Sequence, residues 1–103
     1  MNDQNIIMQI ILCGGNSRSE SMEAISEAKK GNIEEARLHL KTAGEELTTI
    51  HNIQTGLIQS EAAGNKSEIS LLMIHAQDHL MNAITIKDLA REFVDLYERI
   101  GKK

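Results

Sequence analysis

The chain is predicted to be a single all-α domain over residues 1–103, an antiparallel three-helix bundle running up, down and up. Three observations carry that expectation. Apolar residues recur at steps of three and four over many turns, the spacing that places them on one side of a helix. Proline is absent, and only Gly31-Asn32 and Gly64-Asn65-Lys66-Ser67 carry turn chemistry strong enough to interrupt a helix. A length of 103 residues, 41% hydrophobic and 25% charged, suits one ordinary globular core, and no second composition regime suggests another domain.

The first segment opens with Asp3 and the apolar run Ile6-Ile7-Met8-Gln9-Ile10-Ile11-Leu12. It continues through a strip of small residues, Gly14, Ser17, Ser21, Ala24 and Ala28, which lets a neighbouring helix approach closely. Gly14-Gly15 weakens this segment, and a continuous helix is expected ahead of a break there. Lys29-Lys30 followed by Gly31 is a helix end, and Asn32 with Glu35 three positions on is read as the next N-cap and its capping-box partner.

The middle segment places Ile33, Ala36, Leu40, Ala43, Leu47, Ile50, Gln54 and Leu57 on a heptad-like seam, with Glu34, Arg37, Lys41 and Glu45 on the solvated side. Gly44 and Gly56 lie inside it, each lowering helicity by about 1 kcal/mol relative to Ala. Gly64 and Asn65 close this helix, and Ser67 or Ser70 opens the next. The last segment repeats the pattern with Leu72, Ala76, His79, Ala83, Ile86, Ala90, Phe93, Tyr97 and Ile100. Three helices of roughly 45 Å each make a thin rod that struggles to cover its apolar stripes. Self-association is the expected remedy.

Composition removes several function classes. Eleven Lys and Arg against fifteen Asp and Glu give a net charge of −4 with neutral His, and no basic stripe offers a footprint for phosphate backbones. With only Phe93 and Tyr97 aromatic, base-stacking platforms are missing too, so nucleic acid is excluded as a partner. The N-terminal apolar run has no basic flank and is far shorter than the roughly 20 residues of a membrane span. A cytoplasmic location is expected. Cys13 is the single cysteine, and it is read as a buried structural thiol rather than a nucleophile.

The informative words lie in the third segment. His75, Asp78, His79 and Asn82 fall within about a third of the helix circumference, and Thr85 extends the row. Leu71 and Leu89 bracket it. An apolar helix thus carries a polar stripe, and burying ionisable groups is costly unless each has a partner. Three readings compete. In one, the histidines are ordinary surface or hydrogen-bonded groups. In the second, His at i and i+4 hold a metal, and the string resembles the inverted zinc-protease motif His-x-x-Glu-His with Asp78 in place of Glu. In the third, His75 is a nucleophile toward phosphorus, with His79 one turn along as a donor to the phosphoryl oxygens. No Gly-rich phosphate loop is present, so in that reading the phosphoryl group arrives on another protein.

The string Leu71-Leu72-Met73-Ile74-His75-Ala76-Gln77-Asp78-His79-Leu80-Met81, followed by Ile84-Thr85-Ile86-Lys87-Asp88-Leu89-Ala90, closely resembles the IIA component of the lactose/cellobiose (N,N′-diacetylchitobiose) family of the bacterial sugar phosphotransferase system. Supporting matches lie in Ile10-Ile11 with Gly15-Asn16-Ser17-Arg18-Ser19, in Ala28-Lys29-Lys30-Gly31-Asn32, and in His51-Asn52-Ile53-Gln54-Thr55-Gly56-Leu57-Ile58. The likeness covers nearly the whole chain.

The resemblance implies a homotrimer of three-helix subunits, nine helices in all. It implies a relay that takes a phosphoryl group from the phosphocarrier protein HPr and hands it to a cysteine of the IIB component, indirectly serving the membrane component IIC. By position His75 is the phosphorylated residue, on Nε2. His79 supports the phosphoryl group, from the same or a neighbouring subunit, with Gln77 as a lesser assistant. Asp78 meets its symmetry mates at the trimer axis around a divalent metal, expected to be Mg²⁺. Three like carboxylates in an apolar core do favour a cation or protonation. Direct sugar binding is not expected, so the disaccharide is left open. The departures from the pattern, Gly14-Gly15, Gly44 and Gly56, are expected to lie away from the site. The alternative function is a non-enzymatic helical module that binds a structural metal through its His/Asp stripe.

Overall fold

The computed structural model describes residues 3–66 and 68–102. Its three helices are α1 (Asp3–Lys29), α2 (Ile33–Ala62) and α3 (Leu71–Gly101), packed into a rod of 56 × 21 × 19 Å. The expected up-down-up bundle is present, and α1 runs unbroken through Gly14-Gly15. In these helices of 27, 30 and 31 residues most of the stability comes from packing their apolar sides into the shared core rather than from intrinsic propensity.

Both connections end a helix in the same way. Gly31 has φ +90° and Gly64 φ +97°, the left-handed conformation that an added Cβ disfavours. The Asn32 amide reaches back to the Glu27 carbonyl at 2.9 Å and the Asn65 amide to that of Ser60 at 3.0 Å, with Gly31 and Gly64 donating to Ala28 and Glu61. The starts of α2 and α3 differ. Ser70 caps α3, its hydroxyl accepting from the Met73 amide at 3.1 Å, while Ser67, the other candidate, lies outside the described residues. At α2 the expected capping box does not form. The Asn32 side chain instead donates to Glu27 Oε2 at 2.9 Å, tying the turn to the helix it leaves.

The core follows α1. All five residues of its small strip are buried, Gly14, Ser17, Ser21, Ala24 and Ala28, and α2 and α3 both pack chiefly on this helix. The α2 seam holds as expected, with Ala36, Ala43, Leu47, Ile50 and Gln54 buried and Ile33, Leu40 and Leu57 half-buried. Across α2 and α3 the contact is thinner. An open groove of about 290 Å³ remains there, lined by Arg37, Lys41, Lys87 and Arg91. Arg37, placed on the solvated side, does stay exposed but bridges to α3, donating to Asp95 at 2.9 Å and Glu98 at 3.0 Å.

The α3 seam needs correcting. Ala76, Leu80, Ala83, Ala90 and Val94 are the buried set, whereas Leu72, Phe93 and Ile100 from the expected seam are 45 to 49% exposed. The reason is that α3 is apolar around most of its circumference, and the expected seam ran between two real ones. The inner stripe meets α1 and α2. An outer one, Leu71, Ile74, Leu89, Phe93, Leu96 and Ile100, is exposed on the single chain, with Asp78, Asn82 and Thr85 in its midst.

Candidate functional site

His75 and His79 are brought together by the helix repeat alone. Four residues apart on α3, their rings lie 6.1 Å apart between centroids and within 12° of parallel. His75 is exposed, and His79 is half-buried on the side of α3 that turns toward α1. That position follows from the small strip on α1, which lets α3 approach the backbone where Gly14 and Gly15 carry no side chain. A methyl group on Gly14 would stand 3.0 Å from His79 Cδ2 and 3.5 Å from Nε2, and one on Gly15 would stand 3.5 Å from Nε2. The glycine pair was expected to lie away from the site; it touches it. The signal in the sequence was the pairing of two poor helix formers inside a continuous helix, but which residue they faced required the helix packing. Gly44 and Gly56 meet nothing within 4 Å of an added methyl and do lie apart.

Asp78 is exposed on the single chain, in the outer stripe, and the Asn82 amide reaches its Oδ2 at a long 3.5 Å. Gln77 points the other way. It is half-buried against α2, where its Oε1 accepts from Gln54 Nε2 at 2.7 Å, and its own amide nitrogen stands 3.6 Å from Met73 Sδ. Within one chain, therefore, His75, Asp78 and His79 share one side of α3 and Gln77 does not. Gln54, read as a seam residue, is a buried polar link between α2 and the residue two places beyond His75.

Among the described residues no three His, Cys, Asp or Glu side chains of one chain converge to hold a metal ion. Among the described residues the single chain supplies no third ligand of the kind a zinc-hydrolase site needs. Cys13 is half-buried rather than fully buried; burial first, and then the negative charge of the neighbouring Glu46 carboxylate, push its thiol above the ordinary range. A thiol held protonated is a poor nucleophile. Among the described residues no helix is long and apolar enough to cross a membrane.

Chemically, an exposed imidazole such as that of His75 can offer a nitrogen lone pair as a nucleophile or a ring N–H as a donor. A second imidazole, that of His79, lies alongside it with the ring centroids 6.1 Å apart.

Comparison with known proteins places the whole chain in a family. Residues 5–98 match the family described as the lactose/cellobiose-specific IIA subunit of the phosphotransferase system. The chain is 60% identical over 100 residues to the lichenan-specific phosphotransferase enzyme IIA component of Bacillus subtilis, covering 97% of this chain and 91% of that one. Against the N,N′-diacetylchitobiose-specific EIIA component of Escherichia coli K12 the identity is 32%, over 94% of this chain and 84% of that one. In three dimensions, the crystal structure of the cellobiose-specific enzyme IIA from Bacillus anthracis superposes with a TM-score of 0.92 at 53% identity, covering 100% of this chain and 95% of the other. The IIA(chitobiose) subunit solved in complex with HPr from E. coli superposes at 0.83 with 30% identity, covering 98% of each chain. With the three-helix bundle and the family match in agreement, this chain belongs to the lactose/cellobiose-specific IIA family and is a phosphotransferase component of the bacterial sugar phosphotransferase system.

Proposed function

We propose that the chain relays a phosphoryl group from HPr through His75 to a cysteine of a IIB component, in the uptake of a β-linked disaccharide or related oligosaccharide. The observation that carries this reading is the exposed imidazole of His75 with the His79 ring set parallel beside it at 6.1 Å. The relative solved with HPr supports the donor. In the forward step the lone pair of a neutral His75 Nε2 attacks phosphorus, the bond from phosphorus to the donor breaks, and the electron pair leaves with the donor. The phosphoramidate is then passed to the IIB thiolate, which restores the neutral imidazole. His79 supplies a hydrogen-bond donor to the phosphoryl oxygens. Gln77, turned toward α2 and bonded to Gln54 in its own chain, faces away from the His75 ring and is not given a role in the transfer.

The working form in this proposal is a cytoplasmic homotrimer. Its support is the outer stripe of α3, where exposed Leu71, Leu89, Leu96 and Ile100 need covering and a threefold contact would cover them. Such a contact brings three Asp78 carboxylates to one axis. One chain alone offers a single carboxylate; three offer the oxygen set that a hard divalent cation such as Mg²⁺ takes. When bound, the ion would neutralise the converging charges, and the phosphoryl chemistry stays with the histidines.

Incubation with phosphoenolpyruvate, enzyme I and HPr, followed by intact mass, tests the relay. A gain of about 80 Da that acid removes and base preserves is expected for phosphohistidine. His75→Ala should abolish the adduct and keep the assembly. Full phosphorylation of His75→Ala would overturn the assignment, and a metal-loaded trimer that never takes up phosphate would favour the structural-module reading.

A further inference from the structure

We propose that Gly14 is a positioning residue for His79: the bare α1 backbone at Gly14, extended by Gly15, is the surface that sets where the second imidazole stands relative to His75. The inference rests on the phosphoryl-relay reading and adds a residue to it from another helix.

Three observations support it. Of the seven glycines, only at Gly14 and Gly15 would an added methyl meet atoms beyond its own helix backbone and chain neighbours within 4 Å among the described residues; the three nearest at Gly14 and the single one at Gly15 belong to His79. The contacts are graded. At Gly14 the nearest approach is 3.0 Å, to Cδ2, close enough that the ring would have to give by a few tenths of an ångström, whereas at Gly15 it is an ordinary 3.5 Å to Nε2. Finally, Gly14 is buried mid-helix, where Ala would form the helix better; a methyl there would help α1 and displace the ring. The displacement has a direction, away from α1. It would alter the near-parallel 6.1 Å relation between the two rings, and with it the donor geometry toward a phosphoryl group on His75. Misplacement of a reacting group by about 1 Å costs about a hundredfold in rate, so a shift of a few tenths is expected to cost about three- to tenfold.

The test uses the full chain with isotope-labelled histidine. Gly14→Ala, Gly15→Ala and, as a control remote from the site, Gly56→Ala are compared for melting temperature, for the His79 imidazole resonances, and for the rate of phosphorylation by phospho-HPr. Gly14→Ala should keep or raise the melting temperature, shift the His79 resonances and slow phosphorylation by about three- to tenfold. Gly15→Ala, whose methyl would meet Nε2 only at ordinary contact distance, should shift the resonances slightly and leave the rate unchanged, and Gly56→Ala should change neither the resonances nor the rate. Made in a His79→Asn background, Gly14→Ala should cause no further loss, because its effect passes through the ring. Unshifted His79 resonances with an unchanged rate would overturn the proposal, as would an equal loss in both backgrounds. Should the wild-type chain take up no phosphate at all, it is the relay reading that fails. The resonances then decide Gly14 alone, a shift supporting its positioning of His79 and no shift ending it.

Discussion

Ser17 and Ser21 stand one turn apart on the buried strip of α1, both fully enclosed, and differ in what their hydroxyls meet. The Ser17 hydroxyl donates to the Ala43 carbonyl of α2 at 3.0 Å, whereas Ser21 Oγ has no hydrogen-bond partner among the described residues. A buried hydroxyl without a partner keeps its desolvation cost and returns nothing. Ser21→Ala should therefore stabilise the fold by about 1 kcal/mol and Ser17→Ala destabilise it by about as much. Denaturant midpoints with unchanged slopes check this; two variants moving in the same direction would refute the distinction. In the sequence both residues were legible only as small side chains permitting close approach. Which of them would find an acceptor depended on the height of α2 against α1, and no local pattern encodes that height.

At the scale of elements, α1 and α2 are joined across their exposed edge by His39 Nδ1 and Glu20 Oε2, 2.6 Å apart with both side chains about 32% exposed. The hydrogen bond to Glu20 is the first cause raising His39 above its ordinary value of 6.5, helped by the charges of Glu20, Glu23 and Glu27. A folded value above the unfolded one means the imidazolium stabilises the fold, fully so below pH 6.5 and progressively less as pH rises through the raised value. Solvent screening keeps the effect small. The melting temperature of the wild type should fall between about pH 6 and pH 8 relative to that of His39→Gln; parallel curves for the two proteins would show that the pair contributes nothing. Helix ends show how far element-level reading carries. The two left-handed glycines and the Ser70 cap follow from chemistry confined to a few neighbouring residues. Asn32 fitted a capping box equally well on paper, yet its side chain turned back to Glu27 because two local partners competed and the turn geometry favoured the preceding helix.

For the whole molecule the decisive feature is that α3 has two apolar stripes and one chain covers only one of them. In the proposed trimer the outer stripe closes around Asp78, where three carboxylates repel one another unless a cation or a proton intervenes. Asp78→Leu should then preserve the trimer and tighten it by about 1 kcal/mol or more, since apolar replacement of clustered buried charge is often stabilising. Native mass spectrometry on dilution reads this directly. A variant that falls apart into monomers would place the carboxylate elsewhere.

Features that depend on near neighbours along the chain were legible in its order of residues. That order set three helices, two glycine turns, an α2 seam and a pair of histidines on one side of α3, because the helical repeat and turn conformations are local properties. It also carried the family, since the string around His75 is contiguous. Tertiary structure alone decided which stripe of α3 faces inward, that Gln54 reaches Gln77, that Ser17 finds an acceptor while Ser21 does not, and that Gly14 lies against His79. Each of these joins residues more than twenty positions apart, or depends on the rotation and height of one helix against another. Those are set by packing the whole core at once, and no window of sequence contains them.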